Sequence, residues 1–117
     1  HIRYYRADGD SYHQAGYDIV RTEETADGTA VSQIYYEVKS TTRTDQLYRF
    51  QLSPMQVQTA IQMGDSYRIL RLLLSKDSLE LRKAVMVTNL LRQLIGQSVF
   101  PVDDPVTFRM IQCPYDF

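Results

Sequence analysis

An aspartate at position 18 and a Glu-x-Lys pair at 37 and 39 are the residues of this sequence best suited to chemistry. Glu37 and Lys39 lie in a run, Val31 to Ser40, that alternates as a strand does. Ile34, Tyr36 and Val38 share one face, and Tyr35, Glu37 and Lys39 share the other. Side chains two apart on a strand stand roughly 6–7 Å apart. A carboxylate and an ammonium so placed can meet one ligand, the first binding a divalent cation and the second polarising a phosphate or orienting a water. The same alternation also describes a solvated face on which the pair has no task. Asp18 follows Gly16-Tyr17 and shares its strand face with Val20. Counting outward from Asp27-Gly28, the strongest short hairpin signal, sets Asp18 roughly opposite Glu37. Two carboxylates within ~4–5 Å repel each other unless a cation such as Mg2+ sits between them. The structural alternative is that Asp18 caps a turn or pairs with Lys39.

Such a site needs a sheet, and the sequence supplies its parts. His1 to Tyr5 reads as a short strand closed by the turn residues Ala7 to Asp10, and Gly16 to Thr22 as a second. Val31 to Ser40 returns from the hairpin, Thr41 to Gln46 is a polar loop, and Tyr48 to Leu52 is a brief strand. Ser53-Pro54 starts a helix, with a serine N-cap and proline at the first helical position. Val57, Ala60 and Ile61 form its apolar stripe and Gly64 its C-cap. Tyr67 to Leu74 is apolar enough for a strand buried on both faces. Strand, helix and strand from Tyr48 to Leu74 resemble a parallel crossover unit. A second helix is expected over Leu79 to Ile95, where Leu81, Ala84, Val85, Leu91 and Ile95 recur at helical spacing. A strand over Ala84 to Thr88 competes with it. Pro101 to Phe117 reads as loop with one short strand near Thr107 to Gln112. The sum is an α/β or α+β domain, a mixed central sheet flanked by helices.

The composition bounds the partners. The chain has 117 residues and 23% charged side chains, and it carries a formal net charge of −1, which fits one folded domain. No global field attracts a polyanion, so any nucleic-acid surface must be a local patch. Arg43, Arg49, Arg68 and Arg71 could form a phosphate-contacting rim near Glu37, although arginines on strands and loops often serve only as solvated surface. Tyr4, Tyr5, Tyr12, Tyr35, Tyr36, Tyr48 and Tyr67 could stack on bases, but tyrosine equally suits half-buried strands. The lone cysteine, Cys113, rules out an intrachain disulfide, argues against a cysteine zinc site and suggests an intracellular setting, nucleus and cytoplasm not being distinguished. His1 and His13 lack partners at metal-ligand spacing. No Gly-rich phosphate loop or Ser/His/Asp arrangement is present. The longest apolar run, Ile69 to Leu74, is broken by Arg71 and falls short of the ~18 residues of a membrane span, so no membrane partner is expected. The apolar Leu79 to Ile95 segment is a candidate surface for a protein partner or a neighbouring domain. Because the chain opens with His1, it is expected to be a piece of a larger protein.

Gly16-Tyr17-Asp18-Ile19-Val20, Tyr36-Glu37-Val38-Lys39-Ser40-Thr41, Phe50-Gln51-Leu52-Ser53 and Gly64-Asp65-Ser66-Tyr67 follow one another in order. Together they resemble the C-terminal domain of the NO VEIN family, over about residues 1 to 74. That family is placed in the PD-(D/E)xK superfamily, with a restriction-endonuclease-like core. The resemblance implies an Mg2+-dependent (or Mn2+-dependent) nuclease domain that hydrolyses DNA phosphodiester bonds. Asp18 and Glu37 would be the metal ligands, Lys39 the group that places the attacking water, and Gln56 a further catalytic residue one turn into the helix. Tyr17 stands where the superfamily's motif has proline. Residues 1–117 would then form a single domain, its motif-bearing core at 1–74 and a helical and loop extension at 75–117. The alternative function is an inactive interaction or scaffold module of the same fold.

Overall fold

The hairpin at Asp27-Gly28 sets the frame of the sheet. In the computed structural model, which describes residues 1–6, 16–96, 98–101, 107–110 and 115–116, strand β2 (Ile19–Glu24) turns back into β3 (Ala30–Thr41) at this point. Gly28 adopts φ +87°, which suits glycine, and its N–H donates to the Thr25 carbonyl. The Asp27 carboxylate accepts from the Thr25 hydroxyl and the Thr29 N–H, which in that order of importance hold its pKa down at about 2. β1 (Ile2–Arg6) pairs antiparallel with β2 on the outer side. The expected turn at Ala7 to Asp10, together with Tyr12, His13 and Cys113, lies outside the described residues.

β3 is twelve residues long and pairs in parallel with β5 (Tyr67–Leu74). The parallel crossover is therefore made by β3, and the short strand between them belongs elsewhere. That strand, β4 (Arg49–Gln51), joins β8 (Thr107–Met110) and β7 (Val99–Pro101) in a separate antiparallel sheet. Phe50 stacks on Phe108 with ring centroids 5.8 Å apart. The main sheet is mixed, in the order β1-β2-β3-β5-β6-β9, where β6 is Leu81–Thr88 and β9 is Tyr115–Asp116.

Helix α1 (Pro54–Met63) begins where the sequence predicts, with a capping box. The Ser53 hydroxyl accepts from the Gln56 N–H, while the Gln56 side-chain oxygen accepts from the Ser53 N–H. Its buried stripe differs from the expected one. Thr59 and Ala60 face inward, whereas Ile61 is 46% exposed.

The helix expected over Leu79 to Ile95 is not formed. Leu79 takes φ +58° in a tight turn closed by Ser75 N–H to Glu80 carbonyl and Leu79 N–H to Ser75 carbonyl bonds. The chain then runs back antiparallel to β5 as β6, with Ala84, Val85, Met86 and Val87 all buried. A strand covered on both faces needs apolar residues at every position, and such a run also satisfies helical spacing. The β-branched Val85, Val87 and Thr88 favour the strand. Only Leu90–Ile95 is helical (α2); its N-cap Asn89 sits in the left-handed region and accepts from the Arg92 N–H. The domain thus has α+β character, and residues 81–88 belong to its central sheet rather than to a helical extension.

The core lies on one side of the main sheet. Tyr67, Ile69, Leu73, Val85 and Val87 meet Leu52 and Ala60, Leu90 of α2, and Phe50, Val99 and Phe108 of the small sheet. β5 alternates strictly, its odd-numbered residues buried and its even-numbered ones half-buried, so only one of its faces is fully covered.

Candidate functional site

Asp18 reaches the site through backbone pairing. Its N–H donates to the Tyr36 carbonyl at 2.8 Å, and one step along the β2–β3 register sets it against Glu37. Its Oδ2 accepts the Val38 N–H at 2.7 Å. That bond fixes the carboxylate and leaves Oδ1 for a ligand.

The chain enters this position past α1 at very close range. Gly16 has φ +75°, and its carbonyl accepts the buried Tyr67 hydroxyl at 2.8 Å. Burial, then the charges of Glu37 and Asp18, push the Tyr67 pKa well above the ordinary tyrosine range, so the hydroxyl stays a donor. Tyr67 is therefore a positioning residue for the Gly16–Asp18 entry. The sequence offers Tyr67 either as a base-stacking candidate or as a strand tyrosine, and its burial at 1% exposure in β5 makes it the latter. Its place in the Gly64-Asp65-Ser66-Tyr67 motif is the signal for the positioning role. Tyr67→Phe is expected to cost about 1 kcal/mol of stability, read by urea denaturation; an unchanged midpoint would mean that the hydroxyl contributes nothing.

Glu37 corrects the expectation of a solvated face. It is 4% exposed, because the Tyr35-Glu37-Lys39 face looks toward the core, where Tyr67 and Ile69 of the next strand lie. Alternation within one strand separates two faces, and only the neighbouring elements decide which is covered. Burial is the main cause that raises the Glu37 pKa, to about 8. A side-chain hydrogen bond with Asp18 and the Asp18 charge raise it further, while Lys39, 3.6 Å from Glu37 Oε2, lowers it. Near neutrality Glu37 thus holds a proton.

A pocket of about 350 Å³ is lined by Gly16, Tyr17, Asp18, Glu37, Lys39 and Gln56, among others. The structure therefore brings the four sequence-predicted site residues to one place. Gln56 commits its Oε1 to the capping box, so it offers the pocket only its amide hydrogens. Of the four arginines, Arg43, Arg49 and Arg71 gather in an adjoining pocket with Lys39. Arg68 points to the opposite face of β5, where its buried Nε has no hydrogen-bond partner among the described residues.

The donor set fits a hard divalent cation. Two carboxylates held side by side supply only oxygen, and Mg2+ is commonly bound by one or two carboxylates while it keeps several waters. A cation bound between the two carboxyls would relieve the repulsion that helps raise the Glu37 pKa. Among the described residues no group of three or more His, Cys, Asp or Glu side chains converges, so a third protein ligand of these types is not offered. Among the described residues, no helix is long and apolar enough to cross a membrane.

A family model described as Protein NO VEIN, C-terminal, matches residues 3–84, well over half of the chain. The match begins in β1 and ends midway along β6, and it includes the positions of Asp18, Glu37, Lys39 and Gln56. No curated protein matches the chain.

Proposed function

The chain belongs to the NO VEIN C-terminal family, and from that premise we propose that it is a metal-dependent nuclease domain of the PD-(D/E)xK type, hydrolysing phosphodiester bonds of DNA. The observation that carries this reading is the buried Glu37 carboxyl beside the part-buried Asp18, with the Lys39 ammonium 3.6 Å from Glu37. A carboxylate pair without a cation costs stability at neutral pH, and a simple structural role does not require it. Asp18 and Glu37 would hold Mg2+ or Mn2+, which supplies Lewis acidity toward a phosphoryl oxygen and a more acidic bound water. Asp18, pinned by the Val38 N–H, presents one oxygen without having to reorganise. Glu37 would have to be deprotonated to serve as a ligand, its proton passing to solvent. Lys39 donates toward the attacking water and toward the charge that grows on the phosphoryl oxygens. Gln56, through its amide hydrogens, can steady the same water or a neighbouring phosphate oxygen.

The test is cleavage of supercoiled plasmid by the protein with Mg2+ or Mn2+, beside Asp18→Asn and Lys39→Ala. Wild-type cleavage lost by about a hundredfold or more in both variants is the expected outcome. Calorimetry should find Mg2+ affinity rising about tenfold per pH unit below about 8, because one proton leaves Glu37 on binding. No cleavage and no metal uptake would leave the inactive scaffold module as the function of this fold.

A further inference from the structure

A second pocket, of about 590 Å³, opens on the far side of Lys39. Its floor is built on Arg71, the register partner of Lys39 across the parallel β3–β5 pair. Arg71 is only 8% exposed, and its guanidinium donates to three main-chain carbonyls: Leu47 at 3.2 Å, Ser40 at 3.2 Å and Gln46 at 2.9 Å. These bonds tie the 3-10 turn Thr44–Gln46 to the end of β3 and hold the rim of the pocket. They use three of the five N–H donors of a guanidinium, and every acceptor is neutral. Among the described residues no carboxylate pairs with Arg71, and burial pushes its pKa down with no anion to offset it.

The other charges of the pocket have the same sign. Lys39, Arg43 and Arg49 line it with Arg71, beside the neutral Thr41 and Gln51, and no lining residue among those described is acidic. Arg43 pairs with Asp45 at 3.1 Å, and that pair is two-thirds exposed on both sides and therefore weak. A buried, uncompensated cation surrounded by three more is stabilised by a multiply charged anion, and guanidinium forks match phosphate oxygens.

We propose that this pocket is a phosphate seat that grips a phosphoryl group of the nucleic-acid backbone beside the bond presented to Glu37, with Arg71 as its buried anchor. The choice of nucleic acid rests on the hydrolytic reading above, because Lys39 lines both pockets. The seated group is either an internal phosphodiester or a terminal phosphate.

The experiment measures binding without catalysis, in EDTA, using inorganic pyrophosphate and a short fluorescent DNA duplex with either a 5′-phosphate or a 5′-hydroxyl end. Arg71→Gln would also release the turn, so the informative variant is Arg43→Gln/Arg49→Gln, with its folding checked by circular dichroism. Both probes are expected to bind the wild type and to compete, and the double variant to bind each about tenfold more weakly or worse. The slope of log affinity against log salt for the duplex should fall by about two. Tighter binding of the phosphorylated end assigns the seat to a terminal phosphate, and equal binding to an internal one; either supports the seat. A double variant that binds like the wild type, or a wild type that binds neither probe, overturns it. Cleavage that survives such a result keeps the hydrolytic reading, and duplex binding without cleavage keeps the seat.

Discussion

Glu37→Gln is expected to abolish metal-dependent cleavage and, in the same protein, to raise stability at pH 8. Loss of a metal ligand removes transition-state stabilisation of about 4 kcal/mol, or about a thousandfold in rate. The stability effect follows from linkage. Glu37 titrates at about 8 in the folded protein and near 4.5 when unfolded. Between those values the folded state holds a proton that the unfolded state has lost, so stability falls as pH rises through this window. The loss is on the order of 4 kcal/mol by pH 8 and is absent below about pH 4.5. Glutamine resembles the protonated acid and can donate to Asp18 at every pH, so its stability should stay flat over the same range. Urea titrations of both proteins at pH 5, 6.5 and 8, without divalent cations, read the difference directly. Parallel curves would show that Glu37 does not hold the proton.

Gly16→Ala is the second large effect. A Cβ at this position would lie 2.2 Å from the Thr59 hydroxyl oxygen and 2.9 Å from the Thr59 Cβ, distances that require the helix to move. The backbone at φ +75° adds strain for any L side chain. Together these should cost about 2–4 kcal/mol. Because the segment leads straight into Asp18, the displacement should also weaken Mg2+ binding. Adding Thr59→Ala removes the nearest atom while its Cβ remains, so stability should recover in part only. Full recovery would mean that the φ constraint is negligible; no loss in the single variant would mean that the entry strand and α1 are not in contact.

The hairpin was legible because Asp27-Gly28 is a local signal, and counting from it put Asp18 opposite Glu37. The helix start at Ser53-Pro54 was legible for the same reason, since a cap is written within four residues. What the sequence hid depended on distant partners. Phe50 leaves the main sheet because of Phe108, which lies far along the chain. Glu37 is buried by Tyr67 and Ile69 rather than by any neighbour in sequence. The β6 run was ambiguous in principle, since burial on both faces erases the alternation that tells strand from helix. Arg71 interrupts an apolar run as a surface residue might, and its three carbonyl partners become visible only when β3, the 3-10 turn and β5 meet.

β3 carries the hairpin at one end and the Arg71-held turn at the other, with Glu37 and Lys39 between them. Its two ends therefore tolerate length changes very differently. At the tip, a Cβ added to Gly28 would meet nothing within 4 Å, and an extra residue there lengthens only a solvent loop. Between Ala30 and Glu37, one inserted residue would rotate everything downstream by half a turn. Tyr36 and Val38 would then point inward, and both charged groups would face outward. Natural insertions and deletions in homologous chains should accordingly collect at the hairpin tip and avoid the eight residues that lead from Ala30 to Glu37.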